Sequence, residues 1–223
     1  MLEFSRYRAW PGAQAESDAL LDALASLPLL HTLRLSPTSP SVLARMLSWP
    51  GLKALSMSSG VLWSSAESTA LFCDALRANT QLESLSLQRV NFWLDMGAAS
   101  AMLTSLVQAN SLHELGLDSN RVLPEHAAAA GALLGTLVAQ LHTLEVLDLD
   151  GCHLGDAGLG PFMDALPQSH RLTELYIHDN DMSEAFARER LLPAVRACAP
   201  LRLLAAQDSP SVRKAAGIAK RRG

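Results

Sequence analysis

Leu144 to Leu154 reads LEVLDLDGCHL, a match to L-x-x-L-x-L-x-x-C-x-L, and near-copies of it recur along most of the chain. Nothing else in the sequence constrains the fold as tightly. In an extended segment alternate side chains face opposite ways. That alternation sets Leu147 and Leu149 against Val146, Asp148 and Asp150; in the motif Leu144 points with the two leucines, and Glu145 points elsewhere. The first leucine of the motif falls at Leu30, Leu52, Leu82, Leu112, Leu144, Leu172 and Leu201, with spacings by subtraction of 22, 30, 30, 32, 28 and 29 residues. Self-similarity at such a period marks a stack of like units. LHELGLDSNRV from Leu112 and LTELYIHDNDM from Leu172 are close copies. LESLSLQRVNF from Leu82 carries Val90 where Asn or Cys is expected. LHTLRLSPTSP and LKALSMSSGVL are poorer copies, and LRLLAAQDSPS is degenerate, with Ala206 at a core position.

Between these strands the apolar period changes to that of a helix. Leu20, Leu21, Leu24 and Leu27 form one stripe. Leu71, Ala75 and Leu76 follow Ser68, and Met102, Leu103, Leu106 and Val107 follow Ser100. Leu133, Leu134, Leu137 and Val138 form the next, Phe162, Met163 and Leu166 follow Asp156, and Leu191, Leu192 and Val195 follow Ser183. Each unit is thus a strand, a turn and a helix. Neither element can bury its apolar face alone, so the units must stack on one continuous core.

With these motifs and units near 28 to 30 residues, the chain resembles a leucine-rich-repeat protein of the ribonuclease-inhibitor-like subclass, from about Leu30 to Ser209. The resemblance implies an α/β fold: a curved right-handed solenoid of about seven repeats, with a parallel inner sheet and outer helices. It implies that the strands line the concave face. It also makes Asn120, Cys152 and Asn180 inward-facing ladder residues that hold the turns. Residues 1–29 are then a partial or irregular N-terminal repeat or cap, 30–209 the repeats, and 210–223 a basic C-terminal tail. Leu2 and Phe4 fit the second and third core positions of a further strand. PSVRKAAGIAKRRG, after the last strand, does not read as a clear full helix. Solenoids need polar caps, so two weakly capped ends point either to a piece of something larger or to a partner that covers an end, and thus to work within an assembly.

Composition removes several classes. Charged residues are 18% and hydrophobic residues 49%, so the chain can bury a large core; aromatics are only 5%, which leaves the packing to Leu and Ala. A net charge of -4 gives no general case for nucleic acid or membranes. Three scattered cysteines fit a reducing compartment, hence an intracellular protein, with the cytoplasm first and nucleus or organelle open. No apolar run is long enough to span a bilayer. MLEFSRYRAWPG has no apolar signal core, and Arg6 and Arg8 leave a transit peptide as the lesser reading.

The polar positions of the strands carry a charge gradient. Early strands offer Arg34, Lys53 and Arg89 among Ser56, Ser58, Ser59, Ser84, Ser86 and Gln88. Later strands offer Glu114, Asp118, Glu145, Asp148, Asp150, Glu174 and Asp179, with His113 and His178 the only possible cations. Asp118 and Asp150 hold equivalent positions on adjacent strands, where like charges repel. An unpaired acidic column of this kind would be relieved by a basic partner. Tyr176, flanked by Asp148, is of a residue type enriched in binding hot spots. Solvated carboxylates and a space-filling tyrosine are the plainer alternatives.

Other chemistries fit less well. The run His178 to Asp181 lacks the ligand spacing and glycine of a calcium loop. Paired carboxylates could serve a glycosidase, but Asn180 is better explained as a turn residue. Cys152 beside His153 suggests a nucleophile pair, yet Cys152 sits at the inward repeat position, and Cys73 and Cys198 fall on helix stripes. No zinc spacing, Walker loop or G-x-G-x-x-G is present, and Gly155 to Pro161 reads as a turn before a helix. Trp49, Trp63, Phe92 and Trp93 cluster near turns, as core or as an apolar docking edge. Lys220, Arg221 and Arg222, with Arg213 and Lys214, are candidate contacts for nucleic acid or an acidic protein, or a disordered end.

The expected function is therefore a non-enzymatic protein–protein interaction scaffold, a subunit of a larger assembly. It would bind a basic surface through Glu114, Asp118, Glu145, Asp148, Asp150, Glu174, Tyr176 and Asp179, with no metal, cofactor or small-molecule substrate. The resemblance also allows a regulatory role, GTPase-activating or ubiquitin-ligase substrate receptor. An F-box or catalytic cysteine domain has no room in the N-terminal segment. An enzyme acting through the acidic cluster is the third reading.

Overall fold

The computed structural model describes residues 2–3, 21–27, 30–35, 40–60, 62–63, 65–207 and 209–222. Among these, eight strands form one parallel sheet in unbroken chain order. They are β1 (Leu2–Glu3), β2 (Thr32–Leu35), β3 (Ala54–Ser58), β4 (Ser84–Gln88), β5 (Glu114–Gly116), β6 (Val146–Asp148), β7 (Glu174–Ile177) and β8 (Leu203–Ala206). Helical residues 21–25 precede β2. The later helices are α1 (Pro40–Leu47), α2 (Ala66–Ala78), α3 (Met96–Ala109), α4 (Ala127–Gln140) and α5 (Gly155–Ala165). After β7 come α6 (Glu184–Phe186), a π-helical turn (Ala187–Leu191) and α7 (Leu192–Ala197); after β8 comes α8 (Pro210–Lys220).

A doubly wound sheet reverses its strand order at a switch point. Here the order never reverses, and each helix packs beside the helix of the next unit: α1 on α2, α2 on α3, α3 on α4, α4 on α5 and α7 on α8. Ladder register lines the leucines up. Leu33, Leu55, Leu85, Leu115, Leu147, Leu175 and Leu204 form one column, and all are buried. A one-residue slip would turn the whole column to solvent. Leu2 pairs with Leu33, as expected for a further strand. Phe4, Leu20, Arg6 and Arg8 lie outside the described residues.

Five of the strands, β3 to β7, end the same way. Ser59, Arg89, Ser119, Gly151 and Asp179 hold equivalent places, with φ of 67°, 53°, 58°, 67° and 51°. Only Gly151 adopts this left-handed region without a steric cost. Arg89, Ser119 and Asp179 are held there by the next residue in the chain, whose side chain turns inward: Val90, Asn120 and Asn180 are all buried. Cys152 does the same after Gly151, its thiol lying 3.3 Å from the Leu117 carbonyl.

Several helix boundaries differ from the apolar stripes. α2 and α3 start before Ser68 and Ser100, because Ser65 and Asp95 are the caps: Ser65 Oγ accepts from Ser68 N–H, and Asp95 Oδ1 accepts from Ala98 N–H at 2.9 Å. The C-terminal segment is not a tail. Ser209 caps α8 by accepting from Val212 N–H at 3.3 Å, Pro210 occupies the first turn, and Val212, Ala215 and Ala219 are buried. A terminal strand without its own helix, one ground for expecting an uncovered end, does not hold. Arg222 is committed too. Its guanidinium donates to the carbonyls of Val195 at 3.0 Å, Arg196 at 2.7 Å and Cys198, groups left without helical partners where α7 ends.

The aromatic edge is also core rather than docking patch. Trp49, Phe92 and Trp93 are buried, because a short 3-10 turn over Phe92–Leu94 swings Trp93 inward. Trp93 meets Phe92 edge-on at 4.7 Å, and half-buried Trp63 donates its indole N–H to the Phe92 carbonyl at 2.6 Å.

Candidate functional site

The sheet face away from the leucine column is mostly polar from β4 to β7, with Val146 among its polar neighbours and Leu203 and Ala205 of β8 beyond Glu174 and Tyr176. Its register resolves the acidic residues into three short columns across β5, β6 and β7. Glu114, Val146 and Glu174 are neighbours, then Gly116, Asp148 and Tyr176. Continuing the register places Asp118 beside Asp150 and His178. The hydrogen bonds Ser119 N–H to Asp150 carbonyl, 2.6 Å, and Gly151 N–H to His178 carbonyl, 2.8 Å, keep that alignment. Adjacent strands are about 4.8 Å apart, so these groups share one patch about 10 Å across.

Two expected members fall outside it. Glu145 is one residue off register and lies at the strand-start edge, where Arg171 donates to its Oε1 at 2.7 Å. There Lys53 and Glu83 also pair across strands at 2.6 Å. Asp179 sits in the left-handed turn beyond β7, exposed, on the rim of the patch.

The patch is not an array of unpartnered carboxylates. Gln88 of β4 donates to Asp118 Oδ2. Asp148 Oδ1 accepts the Asp150 N–H at 2.9 Å, and Asp150 Oδ1 accepts the His178 N–H at 2.5 Å. Tyr176 donates its hydroxyl to Glu174 Oε2 at 2.8 Å, and this bond holds its phenol above the usual tyrosine range. Each aspartate thus has a neutral donor, and none gains a Lys or Arg partner among the described residues. The net negative charge survives while the side chains are fixed. That combination is preorganisation: a partner's cation need not order these groups on arrival. Sequence reasoning missed the Gln88 link, although the 30-residue spacing to Asp118 contains it.

Asp148 stands in the middle. Partial burial raises its carboxyl above the usual aspartate value, and the carboxylates of Asp150 and Asp118 push it further; the Asp150 N–H and His178 oppose this. A raised acid favours the folded state when protonated. Its stability contribution is complete below the unfolded pKa and is lost as pH rises through the folded one. Asp148→Asn, which keeps the oxygen that accepts from Asp150, is therefore expected to be more stable than wild type at pH 7. The gain is a few tenths to about 1 kcal/mol, moderated by solvent screening. Urea midpoints measured from pH 7 down to about pH 3 should show the two proteins converging as Asp148 protonates.

The remaining candidates separate. Burial pushes the Cys152 thiol up to about 12, and nearby carboxylates add to this, so it remains a thiol at neutral pH. His153 points away to Asp181, Nδ1 to Oδ2 2.8 Å, on the exposed turn edge. The nucleophile pair is thus split. Asn120 and Asn180 are spent on backbone. Asn180 Oδ1 accepts from Leu154 N–H at 3.1 Å, and its Nδ2 donates to the Leu149 carbonyl at 2.8 Å. Cys73, Cys152 and Cys198 are free and buried. Among the described residues no three metal-ligating side chains converge, and no helix is long and apolar enough to cross a membrane. No protein-family model matches the sequence, and comparison with curated proteins gives no match.

Proposed function

We propose that the units stack as a curved right-handed leucine-rich-repeat solenoid, and that the chain is a non-enzymatic interaction scaffold whose acidic strand face receives a basic protein surface. The unbroken strand order, the leucine column and the inward Asn–Cys–Asn positions support the solenoid reading. The observation that carries the binding reading is the patch itself. Asp118, Asp148 and Asp150 are held within one small area by neutral donors, with Glu114, Glu174 and Tyr176 flanking them and no Lys or Arg among its register positions. Their mutual repulsion is a standing cost that a cationic side chain would remove. Tyr176 supplies flat apolar area beside the charges, and an arginine could stack there while pairing with Asp148.

A fluorescent oligoarginine peptide tests this reading. The wild-type chain should bind it, and binding should fall steeply between about 0.05 and 0.5 M salt, as screening shortens the reach of the field. Asp118→Lys, Asp148→Lys and Asp150→Lys together should weaken binding at low salt by about 100-fold or more, because like-charge juxtaposition costs several kcal/mol. Equal affinity of the two proteins would show that the patch is only a solvated surface.

A further inference from the structure

The charge of the molecule is split along its length. From residue 184 onward there are nine Lys and Arg against three Asp and Glu, a net of +6; the residues before it carry nine against 19, a net of −10. Much of the positive charge is concentrated on α8. Its buried side, Val212, Ala215 and Ala219, covers β8 and α7. At 100° per residue, Arg213, Lys214, Gly217, Lys220 and Arg221 all fall on the opposite side, within an arc of about 120°. All four of these cations are exposed. A Cβ on Gly217 would touch nothing, so the stripe faces open space.

Placement within the helix adds to this. Lys220 and Arg221 sit at the C-terminal end, where the helix dipole favours cations. Arg213 and Lys214 sit near the N-terminal end, where the Glu184 carboxylate lies against the first turn, its Oε1 accepting from the Ser211 N–H at 3.3 Å and the Ser211 hydroxyl at 2.7 Å. From Arg213 to Arg221 the stripe is about 12 Å long, close to the extent of the acidic patch across β5, β6 and β7.

We propose that the basic side of α8 docks on the acidic strand face of a second copy of this chain. The inference rests on the binding role proposed above for that face and names its occupant. Charge complementarity favours a copy over a nucleic acid, because the rest of the molecule is net negative and would be repelled by a phosphate backbone. The two surfaces belong to different parts of the molecule, so the contact is heterologous. Each copy offers one helix and one face, and association continues head to tail unless the geometry closes a ring.

Sedimentation velocity over a range of concentrations tests it. At about 0.05 M salt the average mass should rise with concentration beyond that of a dimer. At about 0.5 M it should return toward the single-chain 23.9 kDa. Two charge-reversed proteins complete the experiment. One carries Lys214→Glu, Lys220→Glu and Arg221→Glu; the other carries Asp118→Lys, Asp150→Lys and Glu174→Lys. Each alone should remain a single chain at low salt. Their mixture should associate, since the acidic helix of one fits the basic face of the other. A wild-type chain that stays at 23.9 kDa, association that survives reversal of α8, or a mixture that stays dissociated would each overturn the inference. The oligoarginine peptide separates the two levels. If the wild-type chain is monomeric yet binds the peptide through Asp118, Asp148 and Asp150, self-docking fails and the acidic-face role stands. If it does neither, both fail.

Discussion

Replacing Asn120 with Ala is expected to destabilise the protein by about 3–4 kcal/mol, from two buried backbone donors and two carbonyls each losing a partner. Asn120 Oδ1 accepts from the N–H groups of Val90 at 2.9 Å and Phe92 at 3.1 Å. Its Nδ2 donates to the carbonyls of Leu87 at 2.6 Å and Leu117 at 2.8 Å. One buried side chain thereby ties the turn after β4 to the turn after β5. Val90, at the equivalent place in the preceding repeat, cannot do this, so Asn120 serves two units. Cys152→Ala removes a single weak sulfur contact and is expected to cost about 1–2 kcal/mol. The urea midpoints of the two variants, at unchanged slope, check the ordering. If Asn120→Ala costs no more than Cys152→Ala, the turns are held by something other than this ladder.

The second large effect concerns a single methyl group. In Gly131→Ala the new Cβ would lie 1.8 Å from the Gly158 carbonyl oxygen and 2.7 Å from its carbon. The obstacle is backbone, so no rotamer change relieves it, and α4 and α5 must part. Gly158 approaches the Ala127 carbonyl in the same way, and Gly135 approaches Ala165. The seam has no slack, and a loss of about 3 kcal/mol or more is expected, at the upper end for overpacking. Gly217→Ala makes the same chemical change on α8, where nothing lies within 4 Å. It should stabilise by about 0.5–1 kcal/mol, the helix preference of alanine over glycine. Opposite signs from one substitution type, read as thermal midpoints, would establish the close helix pair. A neutral Gly131→Ala would contradict it.

The repeating leucines were legible because burial leaves a period in the sequence, and the inward Asn and Cys positions because the motif resembles a leucine-rich repeat. What was less legible depends on single residues out of period. α8 buries Val212, Ala215 and Ala219, too small and too few to make a leucine stripe. Its Ser-Pro start, a cap followed by a first-turn proline, was the available signal. Trp93 follows Phe92, one step beyond the core position of the motif, and only the 3-10 turn brings it in. Glu145 has the charge of the acidic face, yet one residue of register puts it on the strand-start edge beside Arg171. The neutral donors to Asp118, Asp148 and Asp150 arise from the neighbouring strand and from the strand-end turns, neither of which has a local sequence mark. The composition of the patch could thus be read in advance, but not its preorganisation.

The most direct test of an acidic receiving face is purification of the tagged chain from its native cell at low salt, followed by protein mass spectrometry, alongside the Asp118→Lys, Asp148→Lys and Asp150→Lys protein. A defined set of proteins with basic surfaces, or the chain's own copies, is expected to accompany the wild type and to be absent from the variant and from wild type washed at high salt. The same set recovered with both proteins would contradict it, and would move the binding surface away from β5, β6 and β7.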